Sequence, residues 1–273
     1  MSAITTWNKI VLSYRRISLN NGNHWHGDHA RWYDQWVKVN NYANEIYPIY
    51  KPFVHGQVLE IGAGTGLFTQ YLVNDAEQID VLEPSADMLE FLKENVGNQQ
   101  NLSLYNTTIE QFDFQDRQYN FAFAAHAFFN VMHIDYIIKK ILDHCDVLGV
   151  VIGNGKPIKP FQVFRDEGLV EKNRVHPPHH MNLLSVLREC GFHYDICHLA
   201  SATKYIYQSE DELLEKIASQ YAILKEKKPA YLEKIKPMIR RNEQGVYVEG
   251  NREHVCLLIG KDKVNFHNRP PAK

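Results

Sequence analysis

VLEIGAGTG, residues Val58–Gly66, joins a short apolar run to three glycines spaced two positions apart. Glycine is needed where a chain turns sharply and where a ligand approaches backbone N–H groups at the positive end of a helix. A helical pattern follows at Leu67–Val73, so the stretch predicts a strand, a tight turn and a helix. A dinucleotide-binding turn of the form GxGxxG carries glycine where this chain has Leu67, and the spacing therefore disfavours NAD and FAD.

The sequence around this turn alternates short apolar runs with helical patterns from Gln57 to Gly153, which is typical of βαβ units in a parallel sheet. The predicted strands are Val58–Ile61, Ile79–Glu83, Leu102–Tyr105, Asn120–Ala124 and Val147–Gly153. The predicted helices are Leu67–Val73, Ser85–Val96 and Ile134–Cys145. The expected fold class is α/β, with a Rossmann-like, doubly wound sheet.

The rest of the chain predicts helices before and after further strands. MNLLSVLRECGF indicates a helix that ends at Gly191, a long strand region follows, and VCLLIG, Val255–Gly260, closes the sheet. A capping box of Ser209 and Glu212 starts a helical insertion over 209–242, with a second helix at Pro229. The expected domains are a helical cap over 1–56, a core domain over 57–262 that includes the insertion, and a loose tail over 263–273.

Composition indicates a soluble globular protein. Of 273 residues, 44% are hydrophobic and 23% are charged, and the net charge is -2, which disfavours general affinity for nucleic acid or an anionic membrane. The four cysteines form no CxxC pair and follow no basic and apolar leader, so a cytoplasmic location is expected. No apolar run approaches the roughly 18 residues that cross a bilayer.

An acidic residue ends the second predicted strand. Glu83 lies 21 positions after Gly62, where a carboxylate can accept both hydroxyls of a ribose. Taken together, Glu60, the glycine turn and Glu83 resemble the first two motifs of the class I S-adenosylmethionine (SAM) dependent methyltransferases. The resemblance continues through TIEQFDF and the fourth strand, and more weakly through VCLLIG. It implies a seven-stranded sheet with an antiparallel last strand, and SAM as the cofactor.

The resemblance also assigns residues to parts of the cofactor. It places the methionine part of SAM beside Gly62, Gly64 and Gly66, with Glu60 in the same motif, and the ribose against Glu83. Met88 lies beside the adenine. Thr108 stands where many relatives carry an aspartate that bonds the adenine amino group, so the resemblance does not supply that contact, and the backbone N–H of Ile109 is the candidate that could still serve the adenine. The chain departs from the family at DVLGVV, Asp146–Val151, which replaces the usual proline-glycine turn before the fifth strand.

Candidate catalytic residues follow the fourth strand, where the resemblance places the reacting methyl. In AAHAFFNVMH, the residues His126, Asn130 and His133 have the spacing of one helical face. His126 is the candidate general base, because imidazole titrates near neutral pH; alternatively it only bonds cofactor or backbone. Asn130 either orients the substrate or caps a turn, and His133 is a candidate substrate contact.

Two N-terminal features allow both a functional and a structural interpretation. Tyr33 and Trp36 can stack on a planar acceptor or face the sulfonium, or they can fill the core beneath the cap. HWHGDH, His24–His29, resembles the zinc motif of metallo-β-lactamase-like hydrolases, but it follows a polar turn rather than a buried strand. We therefore expect no metal there, and interpret the run as the mouth of a pocket or as an N-cap in which Asp28 bonds the first free N–H groups.

The sequence therefore predicts an enzyme that transfers a methyl group by in-line displacement to an O, N or S atom of a small molecule, with aromatic acceptors among the candidates. The absence of an N/DPPY or N/DPPF run argues against the adenine amino-group methylases that carry it. The alternatives are a protein or RNA methyltransferase, and a non-catalytic module that binds SAM or a partner. The expected partner is a small-molecule acceptor rather than nucleic acid or membrane, and the chain is expected to be a monomer or homodimer.

Overall fold

The structure is a computed structural model that describes residues 1–20, 25–171 and 176–267. Its sheet contains β1 Gln57–Ile61, β2 Gln78–Leu82, β3 Leu102–Tyr105, β4 Tyr119–Ala125, β5 Cys145–Gly153, β6 His193–Tyr207, β7 Arg240–Asn242 and β8 Gly245–Gly260. Its α-helices are α1 Ala3–Asn20, α2 Gly27–Asn40, α3 Ala43–Tyr50, α4 Thr69–Asp75, α5 Ala86–Val96, α6 Ile134–Asp143, α7 Gln162–Asp166, α8 His180–Cys190, α9 Glu210–Gln220 and α10 Lys228–Ile235.

The sheet has the order β3-β2-β1-β4-β5-β8-β6, and the short β7 pairs with β8 outside that path. Strands β1 to β5 are parallel to their neighbours, whereas β8 runs antiparallel to β5. The predicted Rossmann-like α/β fold with an antiparallel last strand is confirmed, since seven strands follow one path. Strand β7 was not predicted, because three exposed polar residues carry no alternating pattern.

Two compact units divide the chain. The first comprises Met1–Gly155, His176–Leu199 and His254–Lys273, and the second comprises Lys156–Val175 and Ala200–Glu253. The predicted boundaries at 56, 262 and 209–242 differ from this division and stay predictions; the tail from 268 onward lies outside the described residues.

The core of the first unit follows from its apolar periodicity. Helix α6 buries Ile134, Ile137, Ile138 and Ile141 on one face, as the helical spacing predicts. Each isoleucine buried in this way stabilises the fold by about 2 kcal/mol relative to exposure. Helix α3 is fixed to the sheet by Tyr50, whose hydroxyl donates to Val150 O at 2.8 Å and accepts from Leu257 N at 3.1 Å.

The second unit has an aromatic core of its own. Phe161 and Phe164 stack at 5.5 Å between ring centroids, and the edge of Tyr221 meets Phe161 at 5.0 Å. The predicted cap of α9 forms in part: Ser209 Oγ accepts the N–H of Glu212 at 3.2 Å, but the Glu212 carboxylate accepts the N–H of Gln208 instead of the Ser209 N–H. Within the described ranges, no helix combines the length and apolar character needed to cross a membrane.

Candidate functional site

The glycine turn is held in a conformation that other residues adopt at a cost. Gly62, Gly64 and Gly66 have φ angles of +68°, +59° and +87°, in the left-handed region. A Cβ on Gly62 would lie 2.6 Å from the Cβ of Ala127, which comes from the loop after β4. The N–H of Gly62 donates to Leu82 O at 2.7 Å, and this bond brings the turn against the end of β2.

Glu83 lies at the end of β2 with its carboxylate against the glycine turn. Oε2 accepts the N–H of Gly64 at 2.8 Å, and Oε1 accepts the N–H of Ser85 at 2.8 Å. Burial raises the pKa of this carboxyl group, and the hydrogen bonds from Ser85 and Gly64 oppose the rise. A carboxylate offers about four lone-pair sites, so each oxygen can accept a further hydroxyl while the two backbone bonds hold its plane.

Glu60 is a second buried acid, on β1 immediately before the turn. Its Oε2 accepts the hydroxyl of Thr69 at 2.6 Å. Burial raises the pKa of Glu60 to about 8; the bond from Thr69 opposes this rise, and the charge of Glu83 adds to it. The hydroxyl of Thr65, within the turn, is buried and has no hydrogen-bond partner in the described part of the chain. The turn therefore offers a proton-binding group and an unused hydroxyl.

The described part of HWHGDH, residues 25–29, rests on the start of α5. Ser85 Oγ donates to Trp25 O at 2.5 Å, and the N–H of Gly27 donates to Asp87 Oδ2 at 2.7 Å. The prediction that Asp28 caps α2 is wrong, because the N-cap residue is His26, which makes no side-chain cap, and Asp87 from another helix supplies the acceptor. His24 lies outside the described residues.

The histidine run brings no metal cluster together where the structure describes it. In the ranges 1–20, 25–171 and 176–267, no three side chains of His, Cys, Asp or Glu are grouped so that they could hold a metal ion.

Aromatic side chains form a continuous row beside the turn, which we call the aromatic wall: Trp25, Tyr33, Trp36, Tyr42 and Phe129. Neighbouring rings along it lie 5.3 to 6.5 Å apart between centroids. Tyr33 is half-buried and lies against the turn, since a Cβ on Gly64 would lie 3.5 Å from its Cε1. Trp36, with 9% exposure, is largely buried. The structure therefore brings Tyr33 next to the glycine turn and places Trp36 behind it.

His126 lies directly after β4 and meets a histidine from β8. Its Nε2 is 3.2 Å from Nδ1 of His254, which is fully buried. Tyr42 stacks on His254 at 5.1 Å and meets His126 edge-on at 5.9 Å. Sequence reasoning missed His254, although it directly precedes VCLLIG. In the structure His254 lies within β8, opposite Gly153 at the end of β5, and the start of the predicted antiparallel strand Val255–Gly260 at this end of the sheet was the available signal.

The prediction that His126, Asn130 and His133 share one helical face is wrong. His126 and His133 have φ angles of +54° and +51°, and only a 3-10 turn, Phe128–Asn130, lies between them. Left-handed residues interrupt the helical ladder, so the spacing argument fails. His133 is exposed and starts α6, with its N–H donating to Asn8 Oδ1 at 2.8 Å. Asn130 is half-buried; its backbone oxygen accepts from Arg15 Nε at 2.9 Å, and its side-chain Oδ1 has no partner among the described residues.

The segment predicted to meet the adenine lies after β3. Met88 is buried, and its N–H donates to Ser85 Oγ at 3.3 Å. Thr108 O accepts the N–H groups of Gln111 and Phe112, whereas the N–H of Ile109 bonds no other described residue. Sequence reasoning missed Asn106, whose side-chain N–H donates to Glu83 O at 2.9 Å and ties this segment to the end of β2.

The part of the chain that contains the sheet and its glycine turn is similar to known proteins. A sequence profile described as "Methyltransferase domain" matches residues 58–148. Malonyl-(acyl-carrier protein) O-methyltransferase 1 of Ilyobacter polytropus is 30% identical over 102 residues, which are 35% of this chain and 37% of that protein. Ribosomal RNA small subunit methyltransferase A of Coxiella burnetii is 33% identical over 57 residues, which are 21% of this chain and 22% of that protein. The chain thus covers less than half of the length of either relative.

A solved structure gives a likeness over more of the chain. The plantazolicin methyltransferase, determined in complex with S-adenosylhomocysteine, has a TM-score of 0.53, covers 93% of this chain and 100% of its own, and is 10% identical. At that identity the likeness is one of fold. The profile match over residues 58–148 agrees with the methyltransferase resemblance found in Glu60, the glycine turn and Glu83, and the solved structure adds a likeness of fold alone.

Proposed function

Because residues 58–148 belong to the methyltransferase domain family and carry its class I fold, we propose that this protein transfers the methyl group of SAM to an O, N or S atom of a small molecule. When bound, SAM supplies an electrophilic methyl. The protein then has to hold the cofactor, align the acceptor atom behind the methyl, exclude water and receive the acceptor's proton.

The observation that carries this proposal is the pairing of Glu83 with the glycine turn. The carboxylate is fixed by the N–H groups of Gly64 and Ser85, both at 2.8 Å, and keeps one lone pair on each oxygen. Two hydroxyls on adjacent ribose carbons match two oxygens of one carboxylate. The methionine part of SAM lies along Gly62, Gly64 and Gly66, with Glu60 behind them. Glycine is needed at these positions because a side chain would keep the methionine part away from the backbone of the turn.

The adenine end is bound by the segment after β3. Met88 provides an apolar contact, and the unused N–H of Ile109 donates to a ring nitrogen of the base. Thr108 is the corresponding position for the adenine amino group. The backbone oxygen of Thr108 already accepts the N–H groups of Gln111 and Phe112.

The acceptor lies between the aromatic wall and the loop after β4. Tyr33 contacts the methyl-acceptor molecule or the sulfonium, and Trp36 supports Tyr33. The buried Oδ1 of Asn130 accepts a hydrogen bond from the methyl-acceptor molecule. His126 takes the proton as its general base. His133, at the start of α6, is the outermost candidate contact. SAM held at the glycine turn and Glu83 would supply the methyl group as an electrophile, and these residues would align the acceptor atom with it and receive the acceptor's proton.

The substrate class rests on the aromatic wall, since a row of neighbouring rings, tilted at 32° to 78° to one another, is an apolar lining rather than a charged groove. The two relatives are named for different substrates, one for malonyl-(acyl-carrier protein) and one for ribosomal RNA, so the acceptor is the part that experiment must decide.

Calorimetric titration and thermal shift with SAM, S-adenosylhomocysteine and NAD test the proposal. We expect binding of the first two and none of NAD, with Glu83→Ala reducing the affinity at least about 100-fold, as two charge-assisted hydrogen bonds are lost. Glu77→Ala is the matched control, because Glu77 is exposed at the opposite end of β2. If SAM does not bind at millimolar concentration, or if both variants bind it equally well, the proposal is wrong.

A screen of acceptors then separates enzyme from binding module. Formation of S-adenosylhomocysteine is measured with pooled small aromatic and carboxylic acids, with total RNA and with a protein lysate. Turnover with the small-molecule pool alone supports the proposed class. Turnover with RNA or protein alone moves the assignment to a macromolecular acceptor.

A further inference from the structure

Asn95 on α5 joins the glycine turn to helix α2. Its side-chain Nδ2 donates to Thr65 O, within the turn, at 2.8 Å and to Asp34 Oδ1, on α2, at 2.7 Å. Both partners are acceptors, so the two hydrogens of this amide nitrogen are used, one for each. We propose that Asn95 is a positioning residue for the cofactor: it holds α2 against the turn, and this attachment slows the release of SAM. The inference rests on the proposed function, in which SAM lies along the turn.

Asp34 is the buried anchor on α2. The residue is 4% exposed, and its two carboxylate oxygens accept from different side chains: Oδ1 from Asn95, and Oδ2 from Lys38 Nζ at 2.7 Å. A buried carboxylate that loses a hydrogen bond is costly, so both bonds should be kept. Lys38 lies one turn further along α2 itself, and its side chain is 55% exposed. Of the two bonds, the one from Asn95 is therefore the one that attaches α2 to another element.

Helix α5 lies close against the glycine turn. A Cβ on Gly66 would be 3.0 Å from Leu92 Cγ and 3.0 Å from Val96 Cγ2, so glycine at this position leaves room for two buried side chains of α5. Asn95 lies between Leu92 and Val96 in the sequence of the helix. Apolar packing therefore sets the distance between α5 and the turn, and the Asn95 amide adds a directed bond to Thr65 O.

A second contact with α5 holds the start of α2. The N–H of Gly27 donates to Asp87 Oδ2 at 2.7 Å, and Asp34 lies about two helical turns further along α2. Helix α2 is therefore attached to α5 at two places. Tyr33, next to Asp34, lies against Gly64, along which the proposal places the methionine part of SAM. A cofactor on the turn thus lies beside α2, and movement of α2 away from the turn opens a route for its release.

The test measures the association and dissociation rates of SAM by surface plasmon resonance on the immobilised full chain. Asp34→Ala removes the attachment of α2 but leaves the bond from Asn95 to Thr65 O, and should raise the dissociation rate at least about 10-fold, with a smaller change in the association rate. Asn95→Ala removes both bonds and should raise the dissociation rate further. Asp34→Asn keeps an oxygen that accepts from Asn95, and should restore most of the slow release.

Lys38→Ala is the matched control, because it removes the other partner of Asp34 and leaves both bonds of Asn95. Its dissociation rate should stay within about twofold of the wild type, since Lys38 is an exposed partner. Asn98→Ala, an exposed change just after α5, should also leave the rate unchanged. Wild-type release in Asp34→Ala, or equal acceleration in Lys38→Ala, would overturn the inference. Acceleration in Asn95→Ala alone would overturn it too, because the effect would then come from the turn and not from α2.

Hydrogen exchange of the wild type decides the matter if the variants do not fold. Bound SAM should slow the exchange of amides in α2, Gly27–Asn40, as well as those of the glycine turn. Failure of the wild type to bind SAM contradicts the proposed function. Binding of SAM without protection of α2 contradicts only the role of Asn95.

Discussion

Oε2 of Glu83 accepts the N–H of Gly64 at 2.8 Å, so the acid at the end of β2 and the middle glycine of the turn after β1 form one unit. The bond couples the conformation of the glycine turn to the orientation of the Glu83 carboxylate. The turn gains an acceptor for one of its N–H groups. The carboxylate of Glu83, which is only 6% exposed, gains a fixed orientation and two hydrogen bonds at a buried position. Changes at either residue should therefore be felt in both cofactor binding and stability.

Acidification should weaken SAM binding through Glu83. Burial raises the pKa of this group, and only the ionised carboxylate accepts two ribose hydroxyls without competition from its own proton. As the pH falls through the raised pKa, above the ordinary glutamate value of about 4.3, the dissociation constant should rise. Titration calorimetry from pH 5 to 8 measures this. Glu83→Gln should bind more weakly, and without that pH dependence.

Glu60 also contributes to this profile, because its pKa is raised in part by the charge of Glu83, and Glu60→Gln in the same titrations removes that contribution. A pH profile that is the same for wild type and Glu83→Gln would show that Glu83 does not control SAM binding.

The unliganded protein should lose stability as the pH rises, because of Glu60. Its pKa of about 8 in the fold exceeds the ordinary value of about 4.3, so between these values the folded state keeps a proton that the unfolded state has lost. The free energy of unfolding should fall across this window, on the order of 1 kcal/mol per pH unit. Urea denaturation of wild type and Glu60→Gln at pH 5.5, 6.5 and 7.5 measures the difference between them.

Glu60→Gln keeps an acceptor for the Thr69 hydroxyl and does not titrate, so its advantage over wild type should grow with pH. Glu77→Gln, an exposed change, should run parallel to wild type at every pH. Parallel curves for Glu60→Gln as well would contradict the raised pKa.

Single glycine-to-alanine substitutions should show separately the stability cost of backbone strain, the stability cost of crowding, and the loss of ligand access to the turn. Gly191→Ala, with φ +74°, ψ +20° and open space around a new Cβ, should cost about 1 kcal/mol for the left-handed conformation alone. Gly62→Ala should cost more, since its Cβ would lie 2.6 Å from that of Ala127. Gly64→Ala should resemble Gly191→Ala in stability, yet lose most SAM affinity. Urea denaturation measures stability and calorimetry measures SAM affinity; equal SAM affinity in Gly64→Ala and Gly191→Ala would count against binding of the cofactor along the turn.

Loss of the Asp87 carboxylate should loosen the start of α2. Asp87 accepts the N–H of Gly27 at 2.7 Å and lies 3.4 Å from Nδ1 of His26. Replacement of a capping acceptor by alanine typically costs about 1 kcal/mol. Asp28→Ala, in the first turn of the same helix, should cost less. Hydrogen exchange of the Gly27 amide should quicken in Asp87→Ala only; faster exchange in Asp28→Ala instead would place the cap at Asp28.

The sequence predicted the units that local chemistry defines. The strand β1, the turn and the second strand could be identified because alternation, apolar runs and glycine act over a few neighbouring residues. Glu83 could be identified for the same reason, since it ends the next apolar strand, which is separated from the turn by the single short helix α4. The placement of Met88 beside Ser85 follows from a helix that begins at a serine cap, which is again a local signal.

Local patterns failed where one residue's conformation is set by distant neighbours. The spacing of His126, Asn130 and His133 suits a helix, but packing of the loop after β4 against the glycine turn holds His126 in a left-handed conformation. Asp28 has the side chain of a cap, but Asp87 lies closer to the first amide of the helix. In both cases a tertiary contact replaced the local preference.

The sequence by itself determined the order of strands and helices, the glycine turn and the acid opposite it, because these depend on periodicity and backbone freedom within short segments. Only the tertiary structure decided that His254 lies against His126, 128 positions away, through the pairing of β4, β5 and β8. It also decided that Asp87 caps α2 and that Tyr33 lies against Gly64. Side chains on separate elements meet only when the sheet and its helices pack, and a pattern within one segment carries no record of its partner.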